Sequence, residues 1–88
     1  MIASDSWPVE ISLREEDAKT LARAHLAMGG ADLTGQGLAR RNPDDQEIMQ
    51  IGEEIAAARA LSDLAHQLLS DAAERIGSST HQPAHLSI

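Results

Sequence analysis

Ser62, Asp63 and His66 lie close together in this 88-residue chain and supply a hydroxyl, a carboxylate and an imidazole, the set from which hydrolases build a nucleophile. A nucleophilic serine sits at a strained turn beside an oxyanion hole. Nothing around Ser62 has that character, so a solvated helix face is the favoured reading. His25, His66, His81 and His85 could ligate a divalent metal. The chain has no cysteine, however, and His81-x-x-x-His85 straddles Pro83, so a helix cannot bring both rings together. Asp63-x-x-His66 has the spacing of half a carboxylate-bridged metal bundle, but such bundles need several buried glutamates on facing helices. Gly35 and Gly37 lack the third glycine and the directly following helix of a dinucleotide fingerprint. The sequence therefore predicts no catalytic residues, no metal ligands, no cofactor and no small-molecule substrate.

The basic residues are the more informative set. Lys19 and Arg23 share one face of an extended segment with His25, and Arg40 is placed to lie beside them on the next. If that face is open, each subunit presents a small cationic patch that a dimer would double.

Charge limits what such a patch can do. Seven basic residues stand against fourteen acidic ones, a net charge of −7. A balance of this sign opposes non-specific attraction to nucleic acid and to anionic membranes. It is also uneven. Residues 1–41 carry five basic and six acidic side chains, residues 42–88 two and eight. Trp7 is the sole aromatic residue, so no stacking platform for single-stranded bases can form. Met1 to Ser6 has neither the basic nor the apolar region of a signal peptide, and no apolar run is long enough to span a bilayer. The expectation is a cytoplasmic protein with no membrane partner.

The elements that must position these residues follow from periodicity. Trp7, Val9, Ile11 and Leu13 alternate with polar residues, which predicts a strand over about 7–14 with one buried face. Glu15, Glu16 and Asp17 read as a solvated turn. Thr20, Ala22, Ala24 and Leu26 alternate next, in a strand over about 19–28. Gly29-Gly30 supplies the positive φ values of a tight hairpin turn. The third strand covers about 32–41, where Gly35 and Gly37 on one face require a bulge or a close approach of another element. Asn42-Pro43-Asp44-Asp45 offers capping groups for a helix. From Ile48 to Ile76 apolar residues recur at helical spacing, predicting a helix over about 47–76, with Gly77 as terminator. The fold class is α+β: a three-stranded antiparallel meander followed by one long helix, in a single domain, with an extended tail over 78–88.

These lengths argue for self-association. A helix of about 28 residues spans about 42 Å, whereas strands of about 8 residues span about 26 Å. A chain this short also has a thin core and no disulfide to reinforce it. A homodimer is expected, with Ile48, Ile51, Leu68, Leu69 and Ile76 on the helix and Leu86 and Ile88 on the tail as its contacts.

Gly37-Leu38-Ala39-Arg40, Ile51-Gly52-Glu53-Glu54, Ala58-Arg59-Ala60-Leu61-Ser62-Asp63-Leu64 and Thr80-His81-Gln82-Pro83, together with Trp7-Pro8-Val9-Glu10-Ile11-Ser12, resemble a small actinobacterial domain-of-unknown-function family. That family includes dormancy-induced and hypoxia-induced proteins, and the match runs from about Trp7 to Leu86. The resemblance implies a fold similar to the double-stranded-RNA-binding-domain class, a dimer, and a likeness to ribosome hibernation-promoting factors. It carries over no catalytic residues. The chain departs from the family pattern in its second strand, where Leu21 and His25 occupy two arginine positions. Arg41 stands where leucine is common, and Met49 where proline is frequent. Losing two arginines removes phosphate contacts that a ribosomal site would use.

Two functions are then expected. The first is a non-enzymatic stress protein that binds the ribosome or its RNA as a dimer and silences translation, through Arg14, Lys19, Arg23, Arg40 and Arg41. The second is a homodimeric protein-interaction module with no nucleic-acid binding.

Overall fold

Two tight turns set the path of the first forty residues. In the computed structural model, which describes residues 5–40 and 49–80, β1 (Val9–Glu16), β2 (Lys19–Ala27) and β3 (Asp32–Arg40) form an antiparallel sheet in the order β1-β2-β3. The helix α1 (Met49–Thr80) follows. The α+β architecture expected from periodicity is the one observed.

The first turn lies later than the charges suggest. β1 continues through Glu15 and Glu16, and Asp17-Ala18 makes the reversal with Asp17 at φ 56°. The two glutamates stay in the strand because each has a partner. The Thr20 hydroxyl donates to Glu15 Oε1 at 2.8 Å, and Arg14 pairs with Glu16 at 3.0 Å. The second turn is the expected one, with Gly29 and Gly30 at φ 64° and 124°, where a side chain would be strained. β2 and β3 run in register from Lys19↔Arg40 to Ala27↔Asp32.

α1 packs over β2 and β3 and scarcely meets β1. Its approach is close because the facing residues are small. Among the described residues, five of the seven buried apolar ones are alanines: Ala22, Ala24 and Ala39 from the sheet, Ala56 and Ala60 from the helix, with Leu26 and Leu64. A Cβ on Gly35 would run into the Ala60 carbonyl oxygen and Leu64. One on Gly37 would meet the Ala56 carbonyl oxygen and the Ala60 nitrogen. Of the two readings the sequence left open for these glycines, a bulge or a close approach, the second holds: they seat the helix backbone on β3.

The helix differs from expectation at its end. It passes through Gly77 to Thr80, so residues 78–80 are helical rather than the start of an extended tail. One interior glycine costs about 1 kcal/mol relative to alanine, which a 32-residue helix tolerates. The helix spans about 48 Å at 1.5 Å per residue, and the molecule's long axis measures 53 Å. The helix therefore overhangs the sheet, as the length argument required. Among the described residues, no helix is long and apolar enough to cross a membrane.

β1 gives the larger correction. Its alternation predicted one buried face, yet every residue of β1 is exposed. Val9, Ile11 and Leu13 do lie on the helix side, opposite Leu26, Ala24 and Ala22. The helix is displaced toward β3 and leaves them uncovered, at 43%, 38% and 43% exposure.

Candidate functional site

The sheet face turned away from the helix carries the cations. Lys19, Arg23 and His25 alternate along β2 on that side, with Arg14 on β1 and Arg40 on β3, because even spacing in a strand returns to the same face. Lys19 lies directly opposite Arg40, and Arg23 lies between Ser12 and Gln36. Ser12, Arg14, Leu21, Arg23, Gln36 and Leu38 line a shallow depression across the three strands. The sequence reading placed Lys19, Arg23, His25 and Arg40 together, and the register brings them together. Arg41 lies outside the described residues.

Acids interrupt this face. Glu10, Glu16 and Asp32 share it, so four full cations face three carboxylates. Arg14 is engaged by Glu16, and His25 Nε2 lies 3.3 Å from Asp32 Oδ2. Lys19, Arg23 and Arg40 have no such neighbour within ion-pair distance among the described residues; Arg23 lies mid-strand, while Lys19 and Arg40 pair at one end of the sheet, where Glu16 stands opposite Lys19.

The two edges of the sheet are treated differently. Along β3, three helix side chains one turn apart reach over the edge. Arg59 Nη1 donates to the Leu38 carbonyl at 2.7 Å, Asp63 Oδ2 accepts from the Gln36 N–H at 2.8 Å, and Gln67 Nε2 donates to the Thr34 carbonyl at 2.8 Å. Gln67 also donates to Asp63 at 3.2 Å, tying the set together. Along β1 nothing comparable exists among the described residues. The Ala27 N–H donates to the Pro8 carbonyl at 3.2 Å, which fixes the hydrogen-bonding phase of that pair. Even-numbered residues of β1 then bond inward to β2, and Val9, Ile11, Leu13 and Glu15 direct their N–H and C=O groups outward.

The residues with catalytic chemistry are otherwise engaged. Asp63 caps β3 instead of orienting His66. The His66 Nδ1–H donates to the Ser62 carbonyl within its own helix at 2.8 Å, so it does not meet the Ser62 hydroxyl as a base. Among the described residues no three His, Asp or Glu side chains gather as a metal site. His81 and His85 lie outside the described residues.

The expected dimer contacts divide three ways. Ile51 and Ile76 are exposed, at 54% and 43%. Leu69 is half-buried, and Leu68 packs against the chain's own core with Met28 and Leu33. Ile48, Leu86 and Ile88 lie outside the described residues. The sequence reading missed Val9, Ile11, Leu13, Ile55 and Leu61, all large, apolar and exposed. Periodicity names a face but does not say how far the helix reaches across it.

The family model described as Rv2632c-like matches residues 5–85. The uncharacterized protein Rv2632c of Mycobacterium tuberculosis (strain ATCC 25618 / H37Rv) is 47% identical over 75 residues, covering 85% of this chain and 81% of that one. The uncharacterized protein MT1780 of M. tuberculosis (strain CDC 1551 / Oshkosh) is 45% identical over 80 residues, covering 91% and 85%. The crystal structure of Rv2632c superposes with a TM-score of 0.86 at 43% identity, over 93% of this chain and 98% of that chain. A three-stranded sheet backed by one long helix is thus the architecture of a solved relative as well, and this chain belongs to the Rv2632c-like family.

Proposed function

We propose that this protein is a non-enzymatic, stress- or dormancy-associated binding protein of the cytoplasm that acts as a homodimer. In this reading its open sheet face lies against ribosomal RNA and silences translation. The observation that carries the reading is the placement of Lys19, Arg23 and Arg40 on the sheet face that α1 does not cover. Cations on a broad, shallow sheet suit phosphates, which need charge and reach but no enclosing pocket. Two such faces in a dimer would track a longer stretch of backbone. The double-stranded-RNA-binding-domain-like character belongs to the same reading.

The second reading, a homodimeric protein-interaction module without nucleic acid, is favoured by the Arg14–Glu16 and His25–Asp32 pairs and by the net charge of −7. Co-sedimentation with ribosomes across a salt series separates the two. The translation-silencing reading expects stoichiometric pelleting that weakens steeply as salt rises, and its loss when Arg23 and Arg40 are replaced by glutamate. Pelleting that ignores this double reversal overturns the cationic-face mechanism. No pelleting at low salt leaves the protein-binding module.

A further inference from the structure

We infer that the open edge of β1 is the dimer seam, and that two copies join there antiparallel about a two-fold axis through Ser12, forming one continuous six-stranded sheet. The inference rests on the homodimer of the proposed function and specifies how its subunits meet.

Four observations lead to it. The first is that the β3 edge is already occupied by Arg59, Asp63 and Gln67, so among the described residues sheet extension is available at β1 alone. A strand with one usable edge can pair only with the same edge of a copy, which gives an isologous contact that closes at two.

The second is the hydrogen-bonding phase. Val9, Ile11, Leu13 and Glu15 present an uninterrupted row of outward donors and acceptors. Pro8, which has no N–H, belongs to the inward-bonding set, so the missing donor faces β2 and leaves the free edge intact.

The third is charge. An axis through Ser12 sets Glu10 of one copy opposite Arg14 of the other, twice by symmetry, and Ser12 opposite Ser12. These positions form non-hydrogen-bonded pairs, where facing side chains come closest. An axis through Leu13 would instead oppose Glu10 with Glu16, two like charges. One through Ile11 would oppose Arg14 with Pro8 and leave both of its charge pairs unmade. A shift by a single residue would place the helix-side face of one copy beside the outer face of the other.

The fourth is apolar surface. In the Ser12 register Ile11 of each copy lies beside Leu13 of the other. These four side chains, exposed in the single chain, become a shared floor between the two helices. Leu61 is exposed on α1, and helical spacing sets it away from the side on which Arg59 and Asp63 cap β3. Both helices then lie on one side of the six-stranded sheet, and both cationic faces on the other.

The register is testable with a single thiol, because the chain has no native cysteine. Across the axis the two Ser12 Cα atoms come to about 4.5 Å, within the range of about 4.4–6.8 Å that a disulfide spans. Ser12→Cys is expected to form a covalent dimer under mild oxidant at least tenfold faster than Gln36→Cys, which lies on the same sheet face at the capped edge. Arg14→Glu and Glu10→Arg should each weaken the dimer about tenfold in sedimentation equilibrium. The double reversal, which restores opposite charges, should recover it. If the wild-type chain is a dimer but Ser12→Cys links no faster than Gln36→Cys, the seam proposed here is wrong while the dimer stands. If the wild-type chain is a monomer at about 100 μM, the dimer falls and the seam with it. A dimer unchanged by both single reversals overturns the Ser12 register.

Discussion

The two edges of the sheet show opposite solutions to one problem. Every open sheet ends in unpaired backbone groups that invite further pairing. At β3 the helix has settled close enough for Arg59, Asp63 and Gln67 to reach those groups. At β1 the helix scarcely reaches, and among the described residues the strand keeps both its outward donors and an apolar face that is more than one-third exposed. The cause is one displacement. Glycines at 35 and 37 draw the helix onto β3, and what is gained in closeness there is lost in coverage over β1. A protected edge and an exposed one thus come from a single packing decision written in two glycines.

The most damaging way to break this contrast is to fill the glycine seat. Gly37→Ala puts a methyl group against the Ala56 carbonyl and the Ala60 nitrogen, neither of which is a flexible side-chain end. The helix must lift, and overpacking of this kind costs about 3 kcal/mol. A core of mostly alanines has little to spare. Urea unfolding should show the loss directly, and near-wild-type stability would mean that the helix does not depend on this contact.

Opening the protected edge comes next. Arg59→Ala, Asp63→Ala and Gln67→Ala together remove three hydrogen bonds to β3, each worth about 0.5–1 kcal/mol at an exposed site. The fold should survive at about 2 kcal/mol lower stability. The chain would then have two usable edges, and head-to-tail pairing no longer closes. Sedimentation velocity should reveal species larger than the dimer that grow with concentration. A variant that keeps the wild-type distribution would show that the caps are not what limits association.

How far this was legible in the sequence follows the same contrast. Gly35 and Gly37 announced a bulge or a close approach, and the Thr20, Ala22, Ala24, Leu26 alternation named an inward face of small residues, because both signals are local. Gly29-Gly30 fixed its turn for the same reason. Glu15 and Glu16 were harder, since a run of like charges reads as a turn until Thr20 and Arg14 are known to lie beside them. Gly77 read as a stop, although nothing local requires a helix to end at its first permissive residue. Least legible was the role of Asp63. In sequence it belongs with Ser62 and His66, and only the fold carries it to the Gln36 N–H, 27 residues away. The alternation in β1 was correct about faces but silent on coverage, which depends on where a distant helix comes to rest.

The mildest change to the isolated subunit tests the open edge. Ile11→Lys alters a side chain already 38% exposed and leaves the β1–β2 ladder untouched, since the outward backbone groups of Ile11 do not bond to β2. The folded monomer should lose less than about 1 kcal/mol. In the dimer the same lysine would sit beside Leu13 of the partner subunit in an apolar floor, with a second lysine as its diagonal neighbour across the axis. An edge lysine is the device by which sheets are kept from pairing. The expected outcome is a monomer by light scattering whose circular dichroism and unfolding midpoint stay close to wild type. A fully dimeric Ile11→Lys variant would place the subunit contact elsewhere, with the exposed helix residues Ile51, Ile55 and Ile76 next to be tested. A variant that loses its fold along with its dimer would show that β1 cannot hold its place unless a second strand lies beside it, making the open edge a condition of folding as well as of assembly.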